Sequence, residues 1–249
     1  MAPRTGTPRP EYLYGRNPVQ EALRAGRRVR RVFVADSAQG LDGLVADARK
    51  QGIPVVSVER RRLEEMAADR HHQGVLAEAA PFRYVHLDDL VAQTEPALLL
   101  VLDSLQDPQN FGTLLRTAQA CGVRGVIIQE HRAVGITPAV ASASAGAIEH
   151  LPIARVTNLA RSLEQLEARN VWVYGLTVDA ERPFWDVDWT TPSALVVGSE
   201  STGIGRLVRE RCDQLIGIPM QPDAVQSLNA ATAGSLVIYE AFRQRQSSR

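Results

Sequence analysis

Three separated blocks between residues 107 and 233 carry the side chains that could do chemistry. The first block, 107–116, reads DPQNFGTLLR; the second, 197–205, reads VGSESTGIG; the third, 227–233, reads SLNAATA. Each block follows an apolar run or opens a helical pattern. Glycines let a backbone approach a ligand closely, and amides or an arginine can orient that ligand. The blocks therefore predict a ligand site made of backbone and polar groups.

The first block predicts a helix that directs one arginine. Asp107-Pro108 is expected to end the preceding strand, and Gly122 suits a helix end. Gly112 and Arg116 are four residues apart and share one helix face. Because long helical side chains lean toward the N-terminus, Arg116 is expected to lie across Gly112, near Asn110. A capped helix with a surface arginine is the alternative.

The second and third blocks do not match the common nucleotide-binding loops. Gly203 is followed by Ile-Gly and not Lys-Ser, so 197–205 is not a Walker loop, and its glycines do not fit the dinucleotide fingerprint. A generic glycine-rich turn is the alternative. In the third block, Ser227 is predicted to N-cap a helix. Its apolar face is predicted to consist of Leu228, Ala231, Leu236, Ile238, Tyr239 and Phe242.

The 249 residues are predicted to form two α/β units. Residues 11–80 form a small first unit, 81–96 a linker, and 97–249 a second unit of apolar strands alternating with helices. Near-continuous apolar strands imply a parallel sheet covered on both faces, and such sheets bind ligands beyond the carboxyl ends of their strands. Predicted strands of the second unit are 97–102, 125–128, 171–176, 194–197 and 215–218. Predicted helices are 110–121, 137–147, 158–169 and 206–212.

Composition narrows the class of protein. The two cysteines, Cys121 and Cys212, form neither a zinc motif nor a disulfide framework, which is typical of a reducing cytoplasm. No apolar run is long enough to span a bilayer. The 28 basic and 28 acidic residues cancel, but residues 1–31 hold eight arginines against two glutamates. That imbalance indicates either a phosphate-contacting face or only a general preference for arginine over lysine. Residues 1–10 are predicted to form a flexible basic arm.

Together the three blocks resemble the motifs of the SpoU/TrmH family, whose members methylate ribose 2′-hydroxyls of RNA. The resemblance covers residues 11–245. YGRNPVQEAL at 14–23 and HQGV at 72–75 resemble the family's RNA-substrate-binding domain, and ASAGA at 143–147 and RVTNL at 155–159 also match. The arrangement is most similar to the branch that methylates a guanosine of 23S ribosomal RNA. It departs from the family pattern at Gln226, where a serine is common, and by an extra residue in 221–226.

The resemblance implies a SPOUT fold, which is a parallel-sheet α/β domain with a deep C-terminal trefoil knot, preceded by a small α/β RNA-substrate-binding domain. It implies S-adenosylmethionine as cofactor, ribosomal RNA as substrate and a homodimer, with neither metal nor membrane. The residues implied in catalysis are Arg116, Asn110, Glu200, Ser227 and Asn229. Those implied in cofactor binding are Thr177, Gly198, Gly203, Ile218, Met220 and Leu228. The arginines expected to contact RNA are Arg16, Arg27, Arg28, Arg30 and Arg31.

Several alternatives stay open from the sequence. The proton of the ribose hydroxyl could pass to Arg116, aided by an RNA phosphate, or to Glu200, because a guanidinium with a pKa above about 12 is a poor base. Active sites of the family lie near the dimer interface, so Arg116 could serve the cofactor of the partner chain. The substrate could instead be transfer RNA or an adenosine of ribosomal RNA, as in resistance enzymes. A catalytically inactive assembly factor is the non-enzymatic alternative.

Overall fold

The computed structural model describes residues 11–67, 71–91, 97–131, 133–221 and 227–247. These residues form two compact units, one of residues 11–83 with 136–149 and the other of residues 84–135 with 150–247. The predicted basic arm, 1–10, and Gln226 lie outside the described residues. Within the described residues, no helix has the length and apolar character needed to cross a membrane.

The first unit is built on a mixed four-stranded sheet. Its elements are β1 (Glu11–Tyr14), α1 (Arg16–Arg24), β2 (Val29–Ala35), α2 (Asp42–Lys50), β3 (Val55–Val58), α3 (Arg60–Ala67) and β4 (Val75–Ala79). The strand order is β1-β4-β2-β3, with β4 antiparallel to both neighbours and β3 parallel to β2. Leu63 of α3 is fully buried in one cluster with Tyr14, Phe33 and Leu76. Neither β1 nor α3 is predicted from the sequence.

The second half of the chain supplies a parallel six-stranded sheet. Its elements are α4 (Leu87–Val91), β5 (Leu98–Leu102), α5 (Pro108–Ala120), β6 (Gly125–Gln129), α6 (Pro138–Ala143), β7 (Ile153–Val156), α7 (Leu159–Glu167), β8 (Trp172–Leu176), β9 (Ser193–Val197), α8 (Arg206–Arg209), β10 (Gln214–Ile216) and α9 (Ala230–Ser247). The strand order is β10-β8-β9-β5-β6-β7, and every neighbouring pair is parallel. The central strands β5 and β9 are buried along their whole length. The predicted parallel sheet is confirmed, whereas the trefoil knot stays a prediction.

Two stretches differ from the predicted division of the chain. The predicted linker, 81–96, contains α4, whose Leu90 is buried, and Val85 N donates a hydrogen bond to Ile153 O at 2.9 Å. Helix α6 belongs to the first unit, where it contacts α1 and β1. Both differences depend on contacts between residues distant in sequence. The local periodicity of apolar residues does not indicate such contacts.

Helix α9 begins later and buries a different face than the sequence predicts. Ser227 is not the N-cap; Asn229 Oδ1 accepts hydrogen bonds from Ala231 N at 2.9 Å and Thr232 N at 3.2 Å. The buried residues are Ala231, Gly234, Val237, Ile238 and Ala241. Leu236 and Tyr239, predicted on the buried face, are 45% and 60% exposed.

Close packing explains which face of α9 is buried. A Cβ atom on Gly234 would lie 2.6 Å from Leu114 Cδ2 of α5 and 3.2 Å from Val197 Cγ2 of β9. The helix therefore turns its small residues inward, because a larger side chain would not fit at that separation. Its bulky apolar residues Leu236 and Tyr239 are left on the surface.

Arg27 lies inside the first unit rather than on its surface. Its Nη1 donates to Glu149 Oε1 at 2.7 Å, its Nη2 to Glu11 Oε2 at 2.8 Å, and its Nε to Ala80 O at 2.9 Å. The side chains of Arg27 and Glu149 are only 8% and 5% exposed. The guanidinium is held in these buried ion pairs, which argues against the prediction that Arg27 contacts RNA.

We predict that Arg27→Gln destabilises the first unit by about 3 kcal/mol, because removing one member of a buried ion pair leaves a buried charge without its counter-ion. Arg24→Gln is the matched control: Arg24 pairs with Glu21 at 2.8 Å, but its side chain is 62% exposed. Exposed pairs contribute about 0–1 kcal/mol. Urea unfolding of the full chain, followed by circular dichroism, measures both. Equal small losses in the two variants would contradict a structural role for Arg27.

Candidate active site

The second block forms a closed loop directly after β9. Ser199 N donates to Gly203 O at 3.1 Å, and Gly203 N donates to Ser199 O at 2.9 Å, so the two ends of the loop pair with each other. The hydroxyl oxygens of Ser199 and Thr202 lie 2.8 Å apart. Gly203 has a φ of 64°, in the left-handed region. A Cβ on Gly198 would lie 2.1 Å from the carbonyl carbon of Gly203, so no larger residue fits there.

The first block opens α5 as predicted. The Asp107 carboxylate accepts hydrogen bonds from Gln109 N at 3.1 Å and Asn110 N at 3.2 Å, and Pro108 occupies the first helical position. This N-cap fixes the first turn, which carries Asn110. The predicted helix is present, and it begins at Pro108, two residues before the predicted start at 110.

One hydrogen-bonded chain of side chains joins the three blocks. Asn229 Nδ2 donates to Asn110 Oδ1 at 3.0 Å, and Asn110 Nδ2 donates to Glu200 Oε1 at 2.6 Å. These residues are separated by 119 and 90 positions in the sequence. The prediction that the three blocks converge is therefore confirmed.

Backbone N–H donors of α9 fix the direction of both hydrogen bonds between these three side chains. The Asn229 carbonyl oxygen must accept, since backbone N–H groups of α9 point at it, so the Asn229 amide nitrogen faces Asn110. Asn110 then accepts through its oxygen and presents its own nitrogen to Glu200. An NH₂ group can only donate, so Glu200 is held as a hydrogen-bond acceptor.

A cavity of about 500 Å³ opens at the same edge of the sheet. Its wall includes apolar side chains of Leu176, Val197 and Ile204. All six residues predicted to bind cofactor lie on it: Thr177, Gly198, Gly203, Ile218, Met220 and Leu228. Glu200 and Ser227 also line it. The structure thus brings these residues together, and their roles toward a ligand stay predictions.

Thr177 is a residue of the cavity wall that carries an unsatisfied polar atom. Its hydroxyl oxygen is buried and has no hydrogen-bond partner among the described residues. A buried hydroxyl without a partner is costly, so the site suits a ligand that carries a hydrogen-bonding group. The size of the cavity and its largely apolar wall fit a small-molecule site.

Arg116 is placed differently from the other predicted catalytic residues. It is exposed on α5 and is not part of the cavity wall of its own chain. Its guanidinium forms no hydrogen bond or ion pair with the described residues, and its expected position across Gly112, near Asn110, stays a prediction. Gly112, on the same helix, is buried.

Asp103 is a site residue that sequence reasoning missed. It is 4% exposed at the end of β5, where Oδ2 accepts from Gly205 N at 2.7 Å and Oδ1 accepts from Ser104 Oγ at 3.0 Å. Its own N–H donates to Val197 O at 2.9 Å. Asp103 thereby ties the end of the 198–205 loop to the neighbouring strand. An acid directly after the apolar run LLLVL at 98–102 is the signal that could have revealed it.

Asp179 and Arg209 also line the cavity and are not predicted from the sequence. Arg209 Nη2 lies 2.8 Å from Asp179 Oδ2. The Arg209 guanidinium, and then the Thr177 hydroxyl, lower the pKa of Asp179, although that hydroxyl does not reach hydrogen-bonding geometry with it. Both partners are therefore ionised at neutral pH.

Cys212 does not contribute a nucleophile. Burial, and then the charge of Asp213, raise the pKa of its thiol to about 12, and its Sγ donates to Val208 O at 3.4 Å. The thiol is thus protonated at neutral pH, whereas the thiolate is the reactive form. Within the part of the chain that the structure describes, no three His, Cys, Asp or Glu side chains are grouped to hold a metal ion.

The predicted RNA-binding arginines of the first unit have different surroundings. Arg16 donates from Nη2 to Gln39 O at 2.5 Å and from Nε to Gln73 O at 3.5 Å, so its guanidinium connects two loops. Arg28, Arg30 and Arg31 are exposed. A register shift between Val29 and Arg31 interrupts the alternation of β2, so Arg30 and Arg31 are exposed in succession.

Comparisons with known proteins agree with this site. Residues 97–239 match the SpoU rRNA Methylase family, and residues 12–85 match the RNA 2′-O ribose methyltransferase substrate-binding family. YacO of Bacillus subtilis (strain 168), assigned to the TrmH family of tRNA/rRNA methyltransferases, is 45% identical over 241 residues, which are 94% of this chain and 96% of YacO.

Two solved structures align with nearly the whole chain. The SpoU methyltransferase AviRb of Streptomyces viridochromogenes, in complex with the cofactor AdoMet, has a TM-score of 0.81 at 27% identity, covering 95% of this chain and 90% of that one. An rRNA methyltransferase of Sinorhizobium meliloti has a TM-score of 0.76 at 26% identity, covering 94% and 87%. Both family models match this chain, YacO is similar to it over nearly its whole length, and the three motifs meet in the structure. The chain therefore belongs to the SpoU/TrmH family of RNA 2′-O-methyltransferases.

Proposed function

We propose that the protein transfers a methyl group from S-adenosylmethionine to a ribose 2′-hydroxyl of RNA. The observation that carries this proposal is the Asn229–Asn110–Glu200 chain beside the cavity, because it joins all three family motifs at the edge where the six predicted cofactor residues lie. The AdoMet complex of AviRb, which aligns with 95% of this chain, supports the choice of cofactor. We place the reaction in the cytoplasm with its RNA substrate.

The cavity wall offers each part of the cofactor a chemically matched surface. Bound S-adenosylmethionine supplies an electrophilic methyl group on a sulfonium sulfur. The apolar wall of Leu176, Val197 and Ile218 suits the adenine ring. The unpartnered Thr177 hydroxyl supplies a hydrogen bond. Displacement at a methyl group requires in-line placement, so positioning provides much of the rate.

Glu200 is the better-placed acceptor for the proton of the ribose hydroxyl. Of the two carboxylates that the described residues place on the cavity wall, Asp179 is paired with Arg209, while Glu200 is contacted by the neutral amide of Asn110. A guanidinium stays protonated at neutral pH, so Arg116 is suited to hold a phosphate and orient the 2′-oxygen. Ser227 and Asn229 complete the polar rim.

The position of Arg116 favours a site completed by a second copy of the chain. Its helix α5 packs on α9, where Thr117 Oγ1 and Ser235 Oγ lie 3.0 Å apart. Next to that contact, α9 exposes the apolar side chains of Leu236 and Tyr239. We propose that the homodimer implied by the family covers this face and brings Arg116 to the partner's cavity.

The proposed substrate is ribosomal RNA, with a guanosine of 23S RNA as the specific target. The family match to a substrate-binding domain over residues 12–85 supports a large folded RNA, because that domain adds a second surface for RNA. The S. meliloti rRNA methyltransferase aligns with 94% of this chain, including this domain. Arg28, Arg30 and Arg31 are the exposed arginines that we assign to RNA phosphates.

We predict that Arg116→Ala abolishes methyl transfer and leaves S-adenosylhomocysteine affinity unchanged, since Arg116 does not line the cavity of its own chain. Transfer of a radiolabelled methyl group to RNA measures the first, and titration calorimetry the second. Gly198→Ala should lose cofactor affinity at least about tenfold, because its Cβ would clash with the Gly203 backbone. Gly122→Ala, at a φ of 72° with open space, is the control for glycine replacement.

Mixing the Arg116→Ala and Gly198→Ala variants, at a cofactor concentration too low to fill the Gly198→Ala cavity, tests whether Arg116 acts across the dimer. A heterodimer of the Arg116→Ala and Gly198→Ala chains contains one intact cavity facing one intact Arg116. Methyl transfer should therefore return on mixing after dissociation and reassociation. A mixture that stays inactive, with both variants folded and dimeric, would show that Arg116 acts within its own chain.

The identity of the RNA substrate can be measured directly. Mapping 2′-O-methyl groups on RNA from cells with and without the gene should show one site lost from 23S RNA, at a guanosine. A site lost from transfer RNA, or at an adenosine, would replace the proposed substrate while keeping the reaction.

We predict that changing Arg28, Arg30 and Arg31 together to glutamine weakens RNA binding and flattens its salt dependence. Each lost phosphate contact reduces the slope of log affinity against log salt by about 0.9 for a duplex. The matched control is the triple change of Arg60, Arg61 and Arg62, exposed arginines of the same unit that are each within 3.6 Å of a glutamate. Filter binding over a range of salt concentrations measures the slope. Equal slopes in the two triple variants would exclude the assigned face.

A further inference from the structure

One pair of opposite charges on the cavity wall has no part in the proposed chemistry. Asp179 follows β8, and Arg209 is the last residue of α8, so two separate segments supply the pair. Arg209 Nη2 and Asp179 Oδ2 are 2.8 Å apart, and both residues line the cavity. The two side chains are 40% and 57% exposed, which places them where the cavity meets solvent.

Stability does not explain why this pair lies on the cavity wall. Exposed ion pairs contribute little to folding, since solvent screens them and ordering two long side chains costs entropy. The pair is ionised at neutral pH, because Arg209 lowers the pKa of Asp179 and Asp179 raises that of Arg209. A fixed negative and a fixed positive charge are thus presented side by side to whatever occupies the cavity.

The arrangement of the wall indicates which end of a ligand meets these charges. The apolar side chains of Leu176, Val197, Ile204 and Ile218 suit a neutral ring system, whereas the Asp179–Arg209 pair suits a charged group. S-adenosylmethionine has one end of each kind. Its adenosine is neutral, and its amino-acid end carries an ammonium and a carboxylate on one carbon.

We propose that Asp179 and Arg209 form the subsite for the amino-acid end of the cofactor, with Asp179 contacting the ammonium and Arg209 the carboxylate. The inference rests on the proposed function. Because the ligand's two charges are neighbours, each can contact its opposite on the protein without separating the ion pair. Charge-assisted hydrogen bonds of this kind are the stronger ones, and a guanidinium matches a carboxylate bidentately.

A competing role for Asp179 makes a different prediction. A carboxylate can accept hydrogen bonds from the two hydroxyls of an adenosine ribose, as acidic residues do in dinucleotide sites. In that arrangement Arg209 would contribute nothing to affinity. Ligands with and without the amino-acid end separate the two roles.

The test is titration calorimetry of the full chain with S-adenosylhomocysteine and with 5′-methylthioadenosine, which lacks the amino-acid end. Asp179→Asn and Arg209→Gln should each weaken S-adenosylhomocysteine binding about tenfold and change methylthioadenosine binding less than about twofold. Glu181→Gln is the control in the same loop. Arg206→Gln is the control on α8, since Arg206 pairs with Glu210 at 2.7 Å and does not line the cavity.

The outcomes distinguish this inference from the proposed function. If the unaltered chain binds neither ligand, the proposed function fails and the inference with it. If it binds both, and Asp179→Asn weakens them equally while Arg209→Gln weakens neither, Asp179 contacts the ribose and the inference is overturned. Unchanged affinity for S-adenosylhomocysteine in both variants would overturn it as well. Melting temperatures establish that the variants are folded.

Discussion

Strands β5 and β9 run parallel and adjacent in the centre of the second sheet, so both deliver their loops to one edge. To one side of this pair the chain continues to β6 and β7, and on the other side lie β8 and β10. The direction of strand order changes at such a point, which leaves a crevice between the departing loops. Asp103 secures the crevice, because its buried carboxylate bonds Gly205 at the far end of the β9 loop. The position of Glu200 relative to Asn110 depends on that pairing.

The hydrogen-bonded chain gives the site rigidity that exposed side chains would otherwise lack. Asn229 bonds the first turn of α9 and Asn110 lies in the first turn of α5, so both amides belong to helices packed on one another. Gly234 permits this packing by allowing α9 to approach Leu114 and Val197. Helix separation thus determines whether the two amides can meet. Residues that hold a reactive group at fixed geometry contribute to rate without touching the substrate.

The sequence predicted the elements of the site better than their contacts. The apolar runs indicated the parallel sheet, and the three blocks met as expected. The prediction for the buried face of α9 was wrong in part because helical periodicity favours large apolar residues, whereas the close approach to Leu114 and Val197 requires a glycine at 234. Asp103 and the Asp179–Arg209 pair were not predicted, because the contacts that define them are made between residues distant in sequence. Helices α3 and α4 each bury a single residue, Leu63 and Leu90, so their sequences have too little apolar periodicity to indicate a helix; strands β1 and β7 were not predicted either.

The arginines show why residue type and local charge density are not enough to identify an RNA surface. Arg27 and Arg28 are neighbours in a basic run, yet Arg27 is buried between Glu11 and Glu149 while Arg28 is exposed. A guanidinium can bond several acceptors at once in a fixed fork, so the same side chain suits a buried junction and a phosphate equally well. Burial decides between these uses, and burial depends on Glu149, which is 122 residues away. Arg116 is the opposite case: an exposed guanidinium beside an apolar helix face retains its capacity to bond, and that capacity is available to a partner chain and its RNA.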